Sequence, residues 1–180
     1  RFSAAHPEIE VWVSADMQLA DVAGGRVDVA IRYGRGDYPG VRSEVLIEAG
    51  VMPVCSPRLL QGAEPLVTPK DLARHVLIHV ERGPLEEPTP DWSTWLRSRQ
   101  LTQIDGRAGP RYDHTALAIE DAAHGRGVAL APRAFVSADI AAGRLVAPFA
   151  DGFFETDMAY RVVTRRGALR EEAQAFVAWL

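Results

Sequence analysis

The sequence has one cysteine, Cys55, in 180 residues. No internal disulfide can form, and a lone thiol favours a reducing compartment, so a cytoplasmic setting is expected. No apolar run reaches the roughly 18 residues needed to span a bilayer. No basic-then-apolar leader opens the chain. A basic excess is also lacking. The formal net charge is −4, which leaves no electrostatic footprint for gripping nucleic acid directly. No paired carboxylates, metal-ligand spacing or nucleophile–base set rises above background. An enzyme therefore ranks last among the function classes, and no cofactor or metal is expected.

What is present is globular in character. Hydrophobic residues make up 47% and charged residues 24%, within the range of one domain or two small subdomains. Arg1 to Pro7 reads as the last turns of a helix stopped before a proline. With no initiator Met ahead of it, further chain upstream is expected. Ile9, Val11 and Val13 alternate as in a strand, and Leu19, Val22 and Ala23 share a helical face. Val27–Tyr33 is a nearly continuous apolar run, the pattern of a strand buried on both sides in a parallel sheet. The loop Gly34–Gly40 is glycine-rich but feeds an extended stretch, Val41–Val54, so it is no dinucleotide fingerprint.

Three helix starts reuse a hydroxyl residue before proline: Ser56-Pro57, Thr68-Pro69 and Thr89-Pro90. The third opens the helix that carries Trp92, Trp95 and Leu96. Val76–His79 reads as a short buried strand. Arg111–Pro132 reads as strand, helix and strand, with Gly125-Arg126-Gly127 as the second turn and Val128–Ala131 as an apolar return strand. The stretch 11–33 echoes this layout, so two βαβ units are expected. Arg133–Ala141 reads as a helix capped by Gly143. Leu145-Val146 reads as a strand, Phe153-Phe154 as a loop, and Ala159–Val163 as the last strand. A final helix shows Ala173, Phe176, Val177 and Leu180 on one face. Alternating strands and helices imply an α/β architecture with mainly parallel sheets.

At Val27-Asp28-Val29-Ala30-Ile31-Arg32-Tyr33-Gly34 the chain resembles the effector-binding (substrate-binding) domain of LysR-type transcriptional regulators. The nearest subgroup contains the glycine-cleavage activator and the β-lactamase regulator. Other segments agree in order: Pro53–Pro57 with Leu59-Leu60, Thr68-Pro69 with Asp71–His75, Trp92 with Trp95-Leu96, Gly125–Leu130, Ala142–Val146 with Pro148-Phe149, and Phe176 with Trp179-Leu180. The resemblance implies a periplasmic-binding-protein type II-like fold of two Rossmann-like subdomains joined by two crossovers. Subdomain I would be 1–55 plus 156–180, subdomain II 56–150, with 151–155 connecting. Met52–Cys55 and the segment around Val146–Phe149 would be the crossings. It also implies an N-terminal winged helix-turn-helix outside this sequence, through which promoter DNA would be bound, and assembly as a homodimer or homotetramer.

In such a fold the ligand lies at C-terminal ends of strands and N-termini of helices. That selects Ser14, Ala15 and Asp16, then Arg32, Tyr33 and Gly34, then His79, then Asp113, His114 and Thr115, and finally Tyr160. Each has a plainer reading beside it. Asp113 and Thr115 serve equally as helix caps. Arg32 is either a carboxylate clamp or the partner of Asp28 or Asp37. Tyr160 is a ligand contact or a core aromatic. His114 departs from the hydroxyl usual in the close subgroup. Trp92 and Trp95 are read as packing, Cys55 as a small buried hydrophobe, and the arginines at 97, 99 and 161 to 170 as solvated surface. The function expected is a sensor for a small anionic metabolite, with a transport-type solute-binding protein as the alternative and no membrane contact.

Overall fold

The computed structural model describes residues 1–14, 21–81 and 89–180. In chain order its elements are α1 (Phe2–Ala5), β1 (Val29–Gly34), β2 (Val41–Val54), β3 (Leu77–Val80), α2 (Trp92–Ser98), β4 (Arg111–Tyr112), α3 (Thr115–Ala123), β5 (Val128–Pro132), α4 (Arg133–Ala141), β6 (Phe154–Arg165) and α5 (Glu171–Trp179). Two short 3-10 turns, Pro57–Leu60 and Pro69–Arg74, precede β3. The chain forms two compact units, Arg1–Glu48 with Asp157–Leu180, and Ala49–Thr156. Both β2 and β6 run through the boundary between them. No helix among the described residues is long and apolar enough to cross a membrane.

In the first unit β1 pairs antiparallel with β6, from Val29 opposite Thr164 to Gly34 opposite Ala159. Phe2 of α1 meets Phe176 and Trp179 of α5 edge-on, with ring centroids 5.1 and 5.5 Å apart. Arg170, just ahead of α5, grips the Asp28 carboxylate with two guanidinium nitrogens. Two expectations fail here. The run Val27–Tyr33 is not a doubly buried parallel strand. It begins at Val29, lies at the end of the strand order, and leaves Ile31 52% exposed. Its apolar content reflects an edge strand with one open face. Val11–Val13 form no strand; Trp12 and Val13 are 92% and 83% exposed, with no sheet to join. The expected helix over 14–23 falls partly outside the described residues, and its end is a turn. The Asp21 carboxylate accepts from Gly24 N–H at 2.7 Å, a local bond that competes with helix. Of the proposed echo of 111–132 at 11–33 the first strand is not formed, but the turn repeats: Gly25 and Gly125 have φ +78 and +79, and Arg26 and Arg126 donate their backbone N–H to the carbonyls of Asp21 and Asp121.

In the second unit the strand order is β2-β5-β3-β4. β2 and β5 are antiparallel, whereas β3 runs parallel to both β5 and β4. The architecture is α/β as expected, but its pairing is mixed rather than mainly parallel. β5 explains its own apolar sequence. Val128 and Leu130 enter a core with Trp92, Trp95, Leu72 and Phe149, while Ala129 and Ala131 enter another with Ile78, Ala118, Ala122 and Val136. Both faces of this strand are buried, so alternation disappears. The turn before it needs its glycines. Gly125 has φ +79, and a Cβ on Gly127 would meet the Val76 carbonyl oxygen at 2.5 Å.

The helix starts differ in chemistry. Asp71 accepts from the backbone N–H of Thr68 at 2.7 Å and from its hydroxyl at 2.9 Å. These bonds hold the Asp71 carboxyl below its usual range, led by the backbone one. At α2 the cap is Asp91, not Thr89. Its carboxylate accepts from Thr94 N–H at 2.7 Å. Asp91 has the longer reach into the first turn and displaces the Thr-Pro start by two residues. Phe154 opens β6 instead of lying in a loop, and Val146 forms a single antiparallel bridge to Cys55. Arg99 is not solvated surface. It stacks on Trp95, 5.5 Å from the ring centroid, and donates to the carbonyls of Asp151 and Phe153.

Candidate functional site

The second unit holds a recess of about 30 Å³ between the ends of β3, β5 and the starts of α2 and α3. It is lined by apolar Val51, Ile78, Leu130, Trp92 and Pro132 and by polar His79, Thr89, Asp91 and Thr115. Two expected site residues, His79 and Thr115, are thus brought together from positions 36 residues apart in the chain. The Trp92 indole N–H donates to the Ile78 carbonyl at 2.9 Å.

His79 is buried and its ring is fixed. Its Nε2 lies 2.9 Å from the Ala108 carbonyl oxygen, and its backbone N–H donates to Pro110. A carbonyl oxygen only accepts, so Nε2 carries a proton. The neutral ring then keeps Nδ1 as a hydrogen-bond acceptor. The Cδ2–Nε2 edge faces the 108–109 backbone, as a Cβ placed on Gly109 would sit 3.3 Å from Cδ2. The Nδ1 edge is turned away from that segment.

Thr115 opens α3, and the N-cap is His114, with no side-chain capping bond. Asp113 and Thr115 are therefore not caps here, and the helix start keeps donors to offer a ligand. Asp113 and His114 are exposed, and Thr115 is half-buried. Behind this tip, the Asp121 carboxylate holds Tyr112 and Arg126, the latter at 2.7 Å. Burial pushes the Asp121 carboxyl up, but the bonds from Arg126 and Tyr112 outweigh it and hold it below its usual range. The same bond to Asp121 pushes the Tyr112 hydroxyl up. Tyr112 directly precedes Asp113, so this cluster fixes the strand end that presents the tip.

In the first unit Tyr33 and Tyr160 are register partners with ring centroids 5.2 Å apart. Arg32 precedes Tyr33 in β1. Adjacent strand residues point to opposite faces, and the Arg32 guanidinium lies 5.8 Å over the Tyr38 ring. The Asp28 carboxylate pairs with Arg170. Gly34 is buried at the end of β1, and Ser14 is exposed. Ala15 and Asp16 lie outside the described residues. Among the described residues no cluster of His, Cys, Asp or Glu could hold a metal ion. Sequence reasoning missed Thr89 and Asp91. Asp91 carried a signal, an acid one residue before the helical tryptophan, but Thr89-Pro90 masked it.

The comparisons agree on one family. A family model described as the LysR substrate binding domain matches residues 1–180. The chain is 40% identical over 179 residues to the glycine cleavage system transcriptional activator of Escherichia coli (strain K12), covering 99% of this chain and 57% of that protein. It is 32% identical over 150 residues to the HTH-type transcriptional activator AmpR of Pseudomonas aeruginosa, covering 83% of this chain and 48% of the relative. The solved effector domain of AmpR from Pseudomonas aeruginosa superposes with a TM-score of 0.72 at 28% identity, covering 99% of this chain and 81% of the other. The AmpR effector binding domain from Citrobacter freundii gives 0.75 at 23% identity, covering 99% and 85%, and supports the fold. The chain spans about half the length of the curated relatives it matches.

Proposed function

The chain belongs to the LysR substrate-binding domain family, and on that premise we propose that it is the ligand-sensing part of a DNA-binding transcription regulator. The family match over all 180 residues carries this reading. The start of α3, which has no side-chain cap, supports it. A small anionic metabolite is the proposed effector. Its anionic group accepts from the N-terminal N–H groups of α3 beside Thr115. A hydroxyl or amine on the same molecule donates to Nδ1 of His79. Asp113 and His114 flank that contact. Within the first unit, taken by itself, Ser14, Ala15, Asp16, Arg32, Tyr33, Gly34 and Tyr160 are proposed as ligand-contacting residues.

The whole regulator is proposed to act in the cytoplasm, without catalysis, as a homodimer or homotetramer bound to promoter DNA through a separate helix-turn-helix domain. The effector shifts the protein between two arrangements only in proportion to its differential affinity for them. A transport role finds no support, since the named relatives are transcriptional activators. The test is a calorimetric titration of this domain with small carboxylates, amino acids and cell-wall fragments. One binder is expected, and Arg32→Ala weakens it. If no member of any class binds, the sensing role is wrong; equal binding by Arg32→Ala removes that residue from the site. A gel shift with the full-length product checks promoter binding separately.

A further inference from the structure

The segment that follows α2 carries a feature that the proposed function leaves unused. Ser93, Leu96 and Arg97 of α2 are spaced three and four apart and share one helical face. After the helix the chain doubles back along that face. Gln100, at φ +59, is the one non-glycine among the described residues with a positive φ. Two bonds close its turn. Gln100 N–H donates to the Arg97 carbonyl at 3.0 Å, and Leu101 N–H donates to the Leu96 carbonyl at 2.9 Å. A helix end of this kind normally takes glycine. The returning segment is tied to the helix again further on, where the Ser93 hydroxyl donates to the Gly106 carbonyl at 3.1 Å. A Cβ on Gly106 would lie 2.9 Å from the Ser93 backbone, so that approach demands glycine.

Between the two ties lies an open groove of about 370 Å³. Its apolar lining is Leu96, Leu101 and half-buried Ile104, which pack together with Trp92 and Trp95. Arg97 and Arg107 line it as well, and both are exposed. The Arg97 guanidinium donates to the Thr94 hydroxyl at 3.3 Å. Neither it nor the Arg107 guanidinium pairs with a carboxylate among the described residues. Arg99 and Arg111, close by in sequence, do so, with Asp151 at 3.6 Å and Glu81 at 3.3 Å. The acid in the groove lining, Asp105, accepts the backbone N–H of Arg107 at 3.0 Å. Arg111 also donates to the Arg107 carbonyl at 2.9 Å, so this cation stands on a held backbone.

Charge decides the occupant. The chain carries −4 overall, which disfavours acidic partners elsewhere, whereas here two unpaired cations are set against one acid. Clustered arginines are a common way to recognise acidic motifs, and arginine is enriched where proteins meet. A lone small anion would leave the apolar lining uncovered. We propose that the groove docks an acidic peptide segment of a partner protein. Carboxylates of that segment meet Arg97 and Arg107, and an apolar side chain between them covers Ile104. The groove shares no lining residue with the recess at His79 and Thr115, so the docking stands or falls independently of effector sensing.

The test is an NMR titration of the domain with the acetylated and amidated peptide Glu-Glu-Leu-Glu-Glu. The backbone amides of Thr102, Gln103, Asp105 and Gly106 should move saturably, with a Kd below about 1 mM at low salt. Affinity should fall as salt rises. Arg97→Glu combined with Arg107→Glu should weaken binding at least about tenfold while melting as wild type does, because both sites are exposed. The milder pair, Arg97→Gln with Arg107→Gln, should weaken it in the same direction. No movement of those amides up to about 5 mM peptide overturns the proposal. So does equal binding by Gln-Gln-Leu-Gln-Gln, or unchanged affinity in either paired variant. Acetate that moves the same amides as tightly would make the groove a small-anion site and overturn the peptide as its occupant.

Discussion

Burial pushes the Cys55 thiol up to about 12. At neutral pH the group is a thiol, not the nucleophilic thiolate, which agrees with its reading as a small buried hydrophobe. Iodoacetamide at pH 8 should leave it unmodified in the folded chain and alkylate one equivalent after denaturation, as mass spectrometry would show. Rapid labelling of the native protein would contradict the packing around it. Asp121 makes the opposite case. Arg126 and Tyr112 overcome its burial and hold its carboxyl below the usual range. The ionised form is therefore the one the fold prefers. Its stabilisation is present above the unfolded-state pKa of about 3.9 and fades as pH falls through the lower folded value. Asp121→Asn should cost about 1–3 kcal/mol at pH 7, and urea melts should show the difference shrinking toward pH 2. A difference that stays constant with pH would mean that the charge is irrelevant.

At the scale of elements, α2 is the strut of the second unit. Trp92 and Trp95 are 1% and 0% exposed, and both indole N–H groups are satisfied, by Ile78 and Gly152 carbonyls. Trp95→Ala should lower stability by about 3–5 kcal/mol, measured by chemical denaturation. A loss below about 1 kcal/mol would be surface-like. This packing was legible because a 3-residue spacing of tryptophans on a helix has few other uses. β5 was legible for the same kind of reason, a short apolar run between Gly127 and Pro132. β1 was misread because its composition matches a buried strand while its position is an edge, and composition does not report neighbours. The strand expected at 11–13 failed in the same way: alternation is present, but no partner strand takes it up. Arg99 was misread because its acceptors are backbone carbonyls about fifty residues away. Of the site, His79 and Thr115 were legible as a strand end and a helix start. Asp91 was not, since its capping role depends on which residue starts the helix.

At the scale of the molecule, each unit carries one feature proposed for recognition, the recess beside α3 in the second and the Tyr33–Tyr160 pair in the first. The proposed homodimer or homotetramer has a direct test. Light scattering on this domain should give a mass of twice 19.7 kDa or more, and a strictly monomeric mass at all concentrations would count against it. The central claim is that a small anionic effector is held at Thr115 and His79. It is tested most directly by following backbone amide shifts during titration with the binder found by calorimetry, in wild type and in Thr115→Val. The account predicts that the Thr115 and Ala116 amides move most in wild type, and that Thr115→Val binds at least about tenfold more weakly through loss of a hydrogen bond to a charged group. Unchanged affinity in Thr115→Val, with those amides still while others move, would place the effector elsewhere and contradict it.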